Sequence, residues 1–109
     1  ARAMIAFYGS TRTYAPVFEL HGFDGLADRL HAKQREGDMA AMVSLVTDDV
    51  LDHYTVSGSW STLGANLVER YRGVAPTTRL MTYTASSQLG RHPDILDRWA
   101  QVARDVAAA

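Results

Sequence analysis

The sequence predicts a mainly α chain with one or two short strands, ordered as an αβα slice of a larger parallel α/β structure. Three observations predict it. Apolar residues recur at helical spacing in one segment after another, with glycine or a capping residue at the joints. Only TRLMTYT, residues 78 to 84, has the β-branched and aromatic character of a convincing strand. It lies between helical patterns over 60 to 72 and 93 to 106, and a lone strand leaves both rows of backbone polar groups unpaired, so the pattern calls for strands from elsewhere.

Taken in order, Ala1, Met4, Ile5 and Tyr8 follow the i, i+3, i+4, i+7 rule of an amphipathic helix. No initiator methionine, N-cap or leading loop precedes them, which raises the expectation that the chain is the C-terminal piece of a longer protein. The first helix is expected to end near Gly9, whose missing Cβ permits a left-handed turn. Thr13 is placed to cap the next, with Tyr14, Ala15 and Pro16 in its first turn. That helix is expected to stop at His21, where Gly22 and Phe23 give a Schellman ending and Phe23 folds back on Phe18.

Asp24 is the expected cap of a polar helix running to about Glu36, with a thin stripe of Leu26, Ala27 and Leu30 and an end at Gly37. Asp38 caps MAAMVSLV, residues 39 to 46, which is apolar almost all round and so predicted to be sunk between neighbours. Thr47 caps DDVLDHY, placing Asp48 and Asp49 at the positive end of its dipole, and TVSG then reads as briefly extended. Ser59 is the expected cap of a helix whose stripe is Leu63, Leu67, Val68 and Tyr71, opposite Asn66, Glu69, Arg70 and Arg72, and closed by Gly73 and Val74. In the last helix Pro93 and Asp94 fill the start. Ile95, Leu96, Trp99, Val102, Ala103 and Val106 oppose Asp97, Arg98, Gln101, Arg104 and Asp105.

Composition narrows the partners. With 109 residues and 47% apolar side chains, the chain reads as a single segment, 1 to 109, of globular type. Eleven basic against 12 acidic residues leave a charge of -1, which gives no attraction for nucleic acid or for an anionic membrane. No apolar run is long enough to cross a bilayer, and the absence of cysteine suits a cytoplasmic origin.

Few residues carry a chemical signature. Asp48, Asp49, Asp52 and His53 have helical spacings that could clasp a divalent ion, but no established ligand pattern supports it, and a solvated acidic first turn is the plainer reading. His21 is expected to tip a helix end and His31 to face solvent. SGSWS at 57 to 61 lacks the G-x-S-x-G of a nucleophile elbow, and neither a dinucleotide loop nor a P-loop is present. No catalytic, cofactor-binding or metal-binding residue is assigned. In IAFYGSTRTY, residues 5 to 14, aromatic faces stand beside hydroxyls on a link between helices. Tyr8, Ser10, Thr11 and Tyr14 are candidate pocket lining there, although core rings and helix caps explain the same residues.

Taken together, IAFYGSTRTYAPVFELHGF, DDVLDHYTVSGSW, the helix ending Arg70, Tyr71, Arg72, Gly73, and TRLMTYT resemble the C-terminal third of the luciferase-like monooxygenase superfamily. The closest likeness is to its deazaflavin-dependent oxidoreductases. The resemblance implies a C-terminal fragment of an α/β (β/α)8 TIM-type barrel, with residues 78 to 84 as the last strand, 93 to 106 as the closing helix, and the Tyr8 to Tyr14 link near the pocket end. It implies a cytoplasmic parent enzyme that transfers hydride between coenzyme F420 or FMN and a small organic substrate, with most cofactor-gripping residues in earlier strands. Where the family has a Gly-Thr-Pro-Glu-like helix start, this chain reads Gly58, Ser59, Trp60, Ser61, keeping the cap and losing the proline. The residues alone also fit a small helical interaction module that self-associates through exposed apolar surface.

Overall fold

A computed structural model describes every residue except 75 to 78, 80, 82 and 83. The described residues form eight α-helices in two compact units, Ala1–Thr55 and Val56–Ala109. Most of the strand expected at 78 to 84 lies outside the described residues. Among those that are described, none is in a strand, and TVSG, expected to be extended, belongs to no regular element.

The first unit holds α1 (Arg2–Gly9), a 3-10 turn (Arg12–Tyr14), α2 (Ala15–Leu20), α3 (Leu26–Glu36), α4 (Met39–Leu45) and α5 (Asp48–Tyr54). Ala6, Phe18, Leu26, Ala27, Leu30, Met42, Val46 and Val50 form its core. The thin stripe of α3 is thus buried as expected, because three neighbouring helices close over that one face.

Two glycines at joints behave differently. After α2, Gly22 adopts φ +82°, its N–H donates to Glu19 O at 3.1 Å and the Phe23 N–H to Phe18 O at 2.9 Å, which is the full Schellman pattern. Gly9 is not left-handed; it is the last helical residue of α1, and Ser10 follows it in helical geometry. Its missing side chain serves packing: a Cβ there would lie 2.5 Å from Phe18 Cζ and 3.0 Å from Leu30 Cδ1.

The caps divide likewise. Asp38 Oδ1 accepts the Ala41 N–H at 2.9 Å, and Thr47 Oγ1 accepts that of Val50 at 3.4 Å. Thr13, expected as a cap, lies inside the 3-10 turn, and α2 starts after Tyr14 with no side-chain cap. Asp24 yields to Gly25, whose φ of +75° turns the chain into α3. The all-round apolar α4 buries only one side within its unit: Met42, and Val46 just past its end, are sealed while Met39 is half exposed.

The second unit holds α6 (Leu63–Tyr71), α7 (Ser86–Arg91) and α8 (Ile95–Ala107). Helices α6 and α8 meet at Gly64, where a Cβ would come within 2.7 Å of Asp105 Cβ. Ile95 and Val102 are buried as the stripe required, but Leu96 and Ala103, expected on the same stripe, are exposed. Ser59 does not cap α6: its hydroxyl bonds those of Ser61 and Thr62, and its carbonyl takes the Thr62 and Leu63 N–H groups. Gly73 is left-handed as expected, yet Val74 stays exposed and its N–H donates to Tyr71 O. Among the described residues no helix is long and apolar enough to cross a membrane.

Candidate functional site

The row Met4, Ile5, Tyr8 of α1 was the apolar face the sequence pointed to, but the helix rests on the next face round. Ala6 and Gly9 are buried against the unit's core, while Met4 and Tyr8 remain about half exposed. Small residues let α1 approach closely, and the larger ones are turned aside. Met4, Ile5, Tyr8, Gly9, Tyr14, Val17, Phe18 and Tyr54 then border an open cavity of about 230 Å3.

Two ring pairs line the cavity. Tyr8 meets Tyr14 edge to face at 6.4 Å, and Phe18 meets Tyr54 in the same manner at 5.8 Å. The Tyr54 hydroxyl donates to the Val17 carbonyl at 3.0 Å, fastening α5 to α2, and burial pushes its pKa above the usual 10.0. Among the described residues no charged side chain lines the space.

Of the four candidate lining residues, the structure brings Tyr8 and Tyr14 together on the cavity and turns the other two away. Ser10 is fully buried, its hydroxyl donating to Phe7 O at 2.6 Å. Its carbonyl accepts from His31 Nδ1 at 3.1 Å, so that nitrogen carries the proton. His31 is therefore half-buried as a strut between α1 and α3, not turned to solvent as expected. Thr11 is exposed and does not line the cavity. Sequence reasoning missed Val17 and Tyr54, which come from segments read only as short capped helices; the surplus of large apolar residues around Gly9 was the available signal.

A second cavity, of about 250 Å3, lies in the other unit and is bordered by Trp60, His92, Asp94, Ile95 and Arg98. Trp60 stands edge-on to Trp99 at 5.1 Å, and the Arg98 guanidinium carbon is 5.8 Å from the Trp60 ring centre. Arg98 Nε donates to Asp94 Oδ2 at 2.5 Å, and that bond holds the Asp94 carboxyl below its ordinary 3.8. Asp94, Ile95, Arg98 and Trp99 were read only as helix start and face pattern, Trp60 only within SGSWS, and His92 was not singled out.

The acidic group at 48 to 53 does not assemble. Asp48 pairs with Arg2, which also donates to Val46 O at 2.6 Å, and among the described residues no three His, Cys, Asp or Glu side chains could hold a metal ion. His53 instead packs against His21, ring centres 4.3 Å apart, among Phe23 and Tyr54.

The chain is similar to the uncharacterized protein Rv1360 of Mycobacterium tuberculosis and the uncharacterized protein Mb1395 of Mycobacterium bovis. Each is 38% identical over 87 residues, 80% of this chain and 25% of the relative. The chain thus spans about a quarter of the length of the curated relatives it matches. No family model matches it, and no solved structure does.

Proposed function

We propose that this chain is the C-terminal segment of a longer cytoplasmic oxidoreductase of the luciferase-like monooxygenase type, dependent on a deazaflavin (coenzyme F420) or on FMN. The observation that carries the reading is length. If 87 aligned residues are a quarter of the relatives, those proteins run to roughly 350 residues, within the size range of a (β/α)8 barrel. The motif resemblance of residues 5 to 23, 48 to 60, 70 to 73 and 78 to 84 supports it, and so does a described structure made of helices that leave large apolar side chains half exposed.

The chemistry belongs to the cofactor, which exchanges a hydride with an organic substrate when bound. The described residues do not fit such a cofactor by themselves. The cavity at Tyr8 and Tyr14 presents no charged group to a phosphate, and in the other cavity Arg98 is already engaged by Asp94. The reading therefore assigns the grip on the cofactor to the rest of the longer protein, with this segment alone inactive.

An absorbance titration of full-length Rv1360 and of this chain with F420 and FMN tests it. Saturable uptake of one cofactor by the relative and none by the chain is expected. A relative that binds neither removes the oxidoreductase reading, and tight binding by the chain removes the claim that it is only a segment of the site.

The half-exposed row of Met4, Phe7, Tyr8, Tyr14 and Val17 favours a second reading, a helical module that self-associates without catalysis. Sedimentation of the chain decides for it if a single oligomer of fixed stoichiometry unfolds in one cooperative step.

A further inference from the structure

We infer that His21 and His53 form a two-imidazole site for a divalent transition-metal ion of tetragonal preference, Cu2+ or Ni2+, which would clip the end of α2 to the end of α5. The histidine singled out by the acidic pattern at 48 to 53 thus finds its partner on another element, 32 positions away from its own helix turn by neither spacing nor motif.

Both rings are presented by fixed backbone. His21 is the C-cap of α2, its N–H donating to Phe18 O at 3.1 Å, and the Schellman bond from the Phe23 N–H holds the chain just beyond it. His53 stands in the last turn of α5, which the Tyr54 hydroxyl ties to Val17 O at 3.0 Å. A second ligand already in place makes the second metal bond intramolecular, so the pair binds far more tightly than either imidazole alone.

Spacing selects the ion. The ring centres lie 4.3 Å apart with the planes inclined at 55°. With metal–nitrogen bonds of about 2 Å and a right angle at the ion, two imidazoles in neighbouring positions have their centres about 4.5 Å apart, whereas a tetrahedral angle spreads them to about 5 Å. The observed separation is nearer the tetragonal value, and imidazole nitrogen with that geometry is the preference of Cu2+ and Ni2+.

Access and ligand number fix the character of the site. His21 is exposed and His53 half-buried, so an ion arrives from solvent. Among the described residues no group of three His, Cys, Asp or Glu gathers there, so water completes the coordination and the ion exchanges readily, unlike one in a closed structural site. The contacts of His53 with Phe23 and Tyr54, at 5.5 Å and 5.0 Å, would be met by any flat ring. Ligation is what imidazole adds at both positions. The site is independent of the oxidoreductase reading.

The test is a titration of the 109-residue chain with Ni2+ at neutral pH, followed by NMR, and with Cu2+, followed by electron paramagnetic resonance, both without flavin. Saturable uptake of a single Ni2+ per chain is expected, with paramagnetic broadening centred on His21, His53 and Phe23 and reversed by EDTA. The Cu2+ spectrum is expected to show two nitrogen ligands, and Cu2+ to bind more tightly than Ni2+ or Zn2+. His21→Phe keeps a ring against His53 and removes a ligand, so it is expected to weaken Ni2+ about a hundredfold, while His92→Gln, in the other unit, leaves it unchanged. The side chain of His21 reaches solvent, so its replacement leaves the core intact.

The inference is overturned if Ni2+ broadens resonances elsewhere and spares this pair, if His21→Phe binds Ni2+ as the parent chain does, or if Cu2+ shows a single nitrogen ligand. Because no flavin is present, failure here leaves the flavin titration of the relative standing, and the converse holds.

Discussion

Gly9→Ala tests the central packing claim. Helix propensity alone predicts that alanine stabilises a helical glycine, by at most about 1 kcal/mol. The structure predicts the opposite sign, because the new methyl would sit 2.5 Å and 2.7 Å from two atoms of the Phe18 ring and 3.0 Å from Leu30 Cδ1. Phe18 and Leu30 are buried, and relief means shifting the Phe18 ring off its edge-to-face contact with Tyr54 toward the cavity it borders. Overpacking of this kind costs about 1 to 3 kcal/mol, which against that gain leaves a net loss centred on about 1 kcal/mol. With a urea slope of about 1 to 3 kcal/mol per molar for a small protein, the midpoint is expected to fall by roughly 0.3 to 1 M, followed by circular dichroism at the helix band. Gly90→Ala is the control: it also lies inside a helix, nothing stands within 4 Å of its Cβ position, and it is expected to raise the midpoint. In a Phe18→Leu background, where the clashing ring atoms are gone, Gly9→Ala is expected to cost much less. A Gly9→Ala variant that stabilises as Gly90→Ala does, or that costs the same in both backgrounds, refutes the reasoning.

Asp38→Ala is expected to lose about 1 kcal/mol by removing the cap on Ala41 N–H, and Asp38→Asn to keep most of it, read by the same urea experiment. Asp94 titrates low in the fold because Arg98 donates to it, so its contribution to stability is present above the unfolded pKa and is lost as pH falls through the folded one; Arg98→Gln is expected to move the Asp94 carboxyl titration up toward 3.8 by NMR. Tyr54 is shifted the other way, so its contribution holds below the unfolded pKa near 10.0 and disappears as pH rises through the folded value. Ultraviolet titration is expected to lose a late-titrating tyrosine in Tyr54→Phe.

What the sequence showed follows from which forces are local. The Schellman end at Gly22 and Phe23, the caps at Asp38 and Thr47, and the stripe of Leu26, Ala27 and Leu30 each depend on residues within one turn or two, and all appear as expected. Thr13, Asp24 and Ser59 failed as caps for a different reason. Each belongs to a link with more than one way to satisfy its N–H groups, and a 3-10 turn, a left-handed Gly25 and a hydroxyl cluster won. His31 was misplaced because its partner, the Ser10 carbonyl, is 21 residues away and carries no sequence signal. Of the candidate site, the two tyrosines were legible as aromatic residues on a link between helices, whereas Ser10 and Thr11 were included for hydroxyls that the packing does not aim at the cavity.

The orientation of α1 shows why an apolar stripe does not by itself name the core. Both available faces of this helix are apolar, one built from Ala6 and Gly9, the other from Met4, Ile5 and Tyr8. Burying the larger face removes more area from water, but it holds the neighbouring helix farther off; burying the smaller one lets Phe18 and Leu30 close onto the backbone and brings the Ser10 carbonyl within reach of His31. The unit takes the second option, gaining close contact and one part-buried hydrogen bond at the cost of leaving three large side chains partly in water. That cost is what shapes the cavity. It persists unless something covers the row.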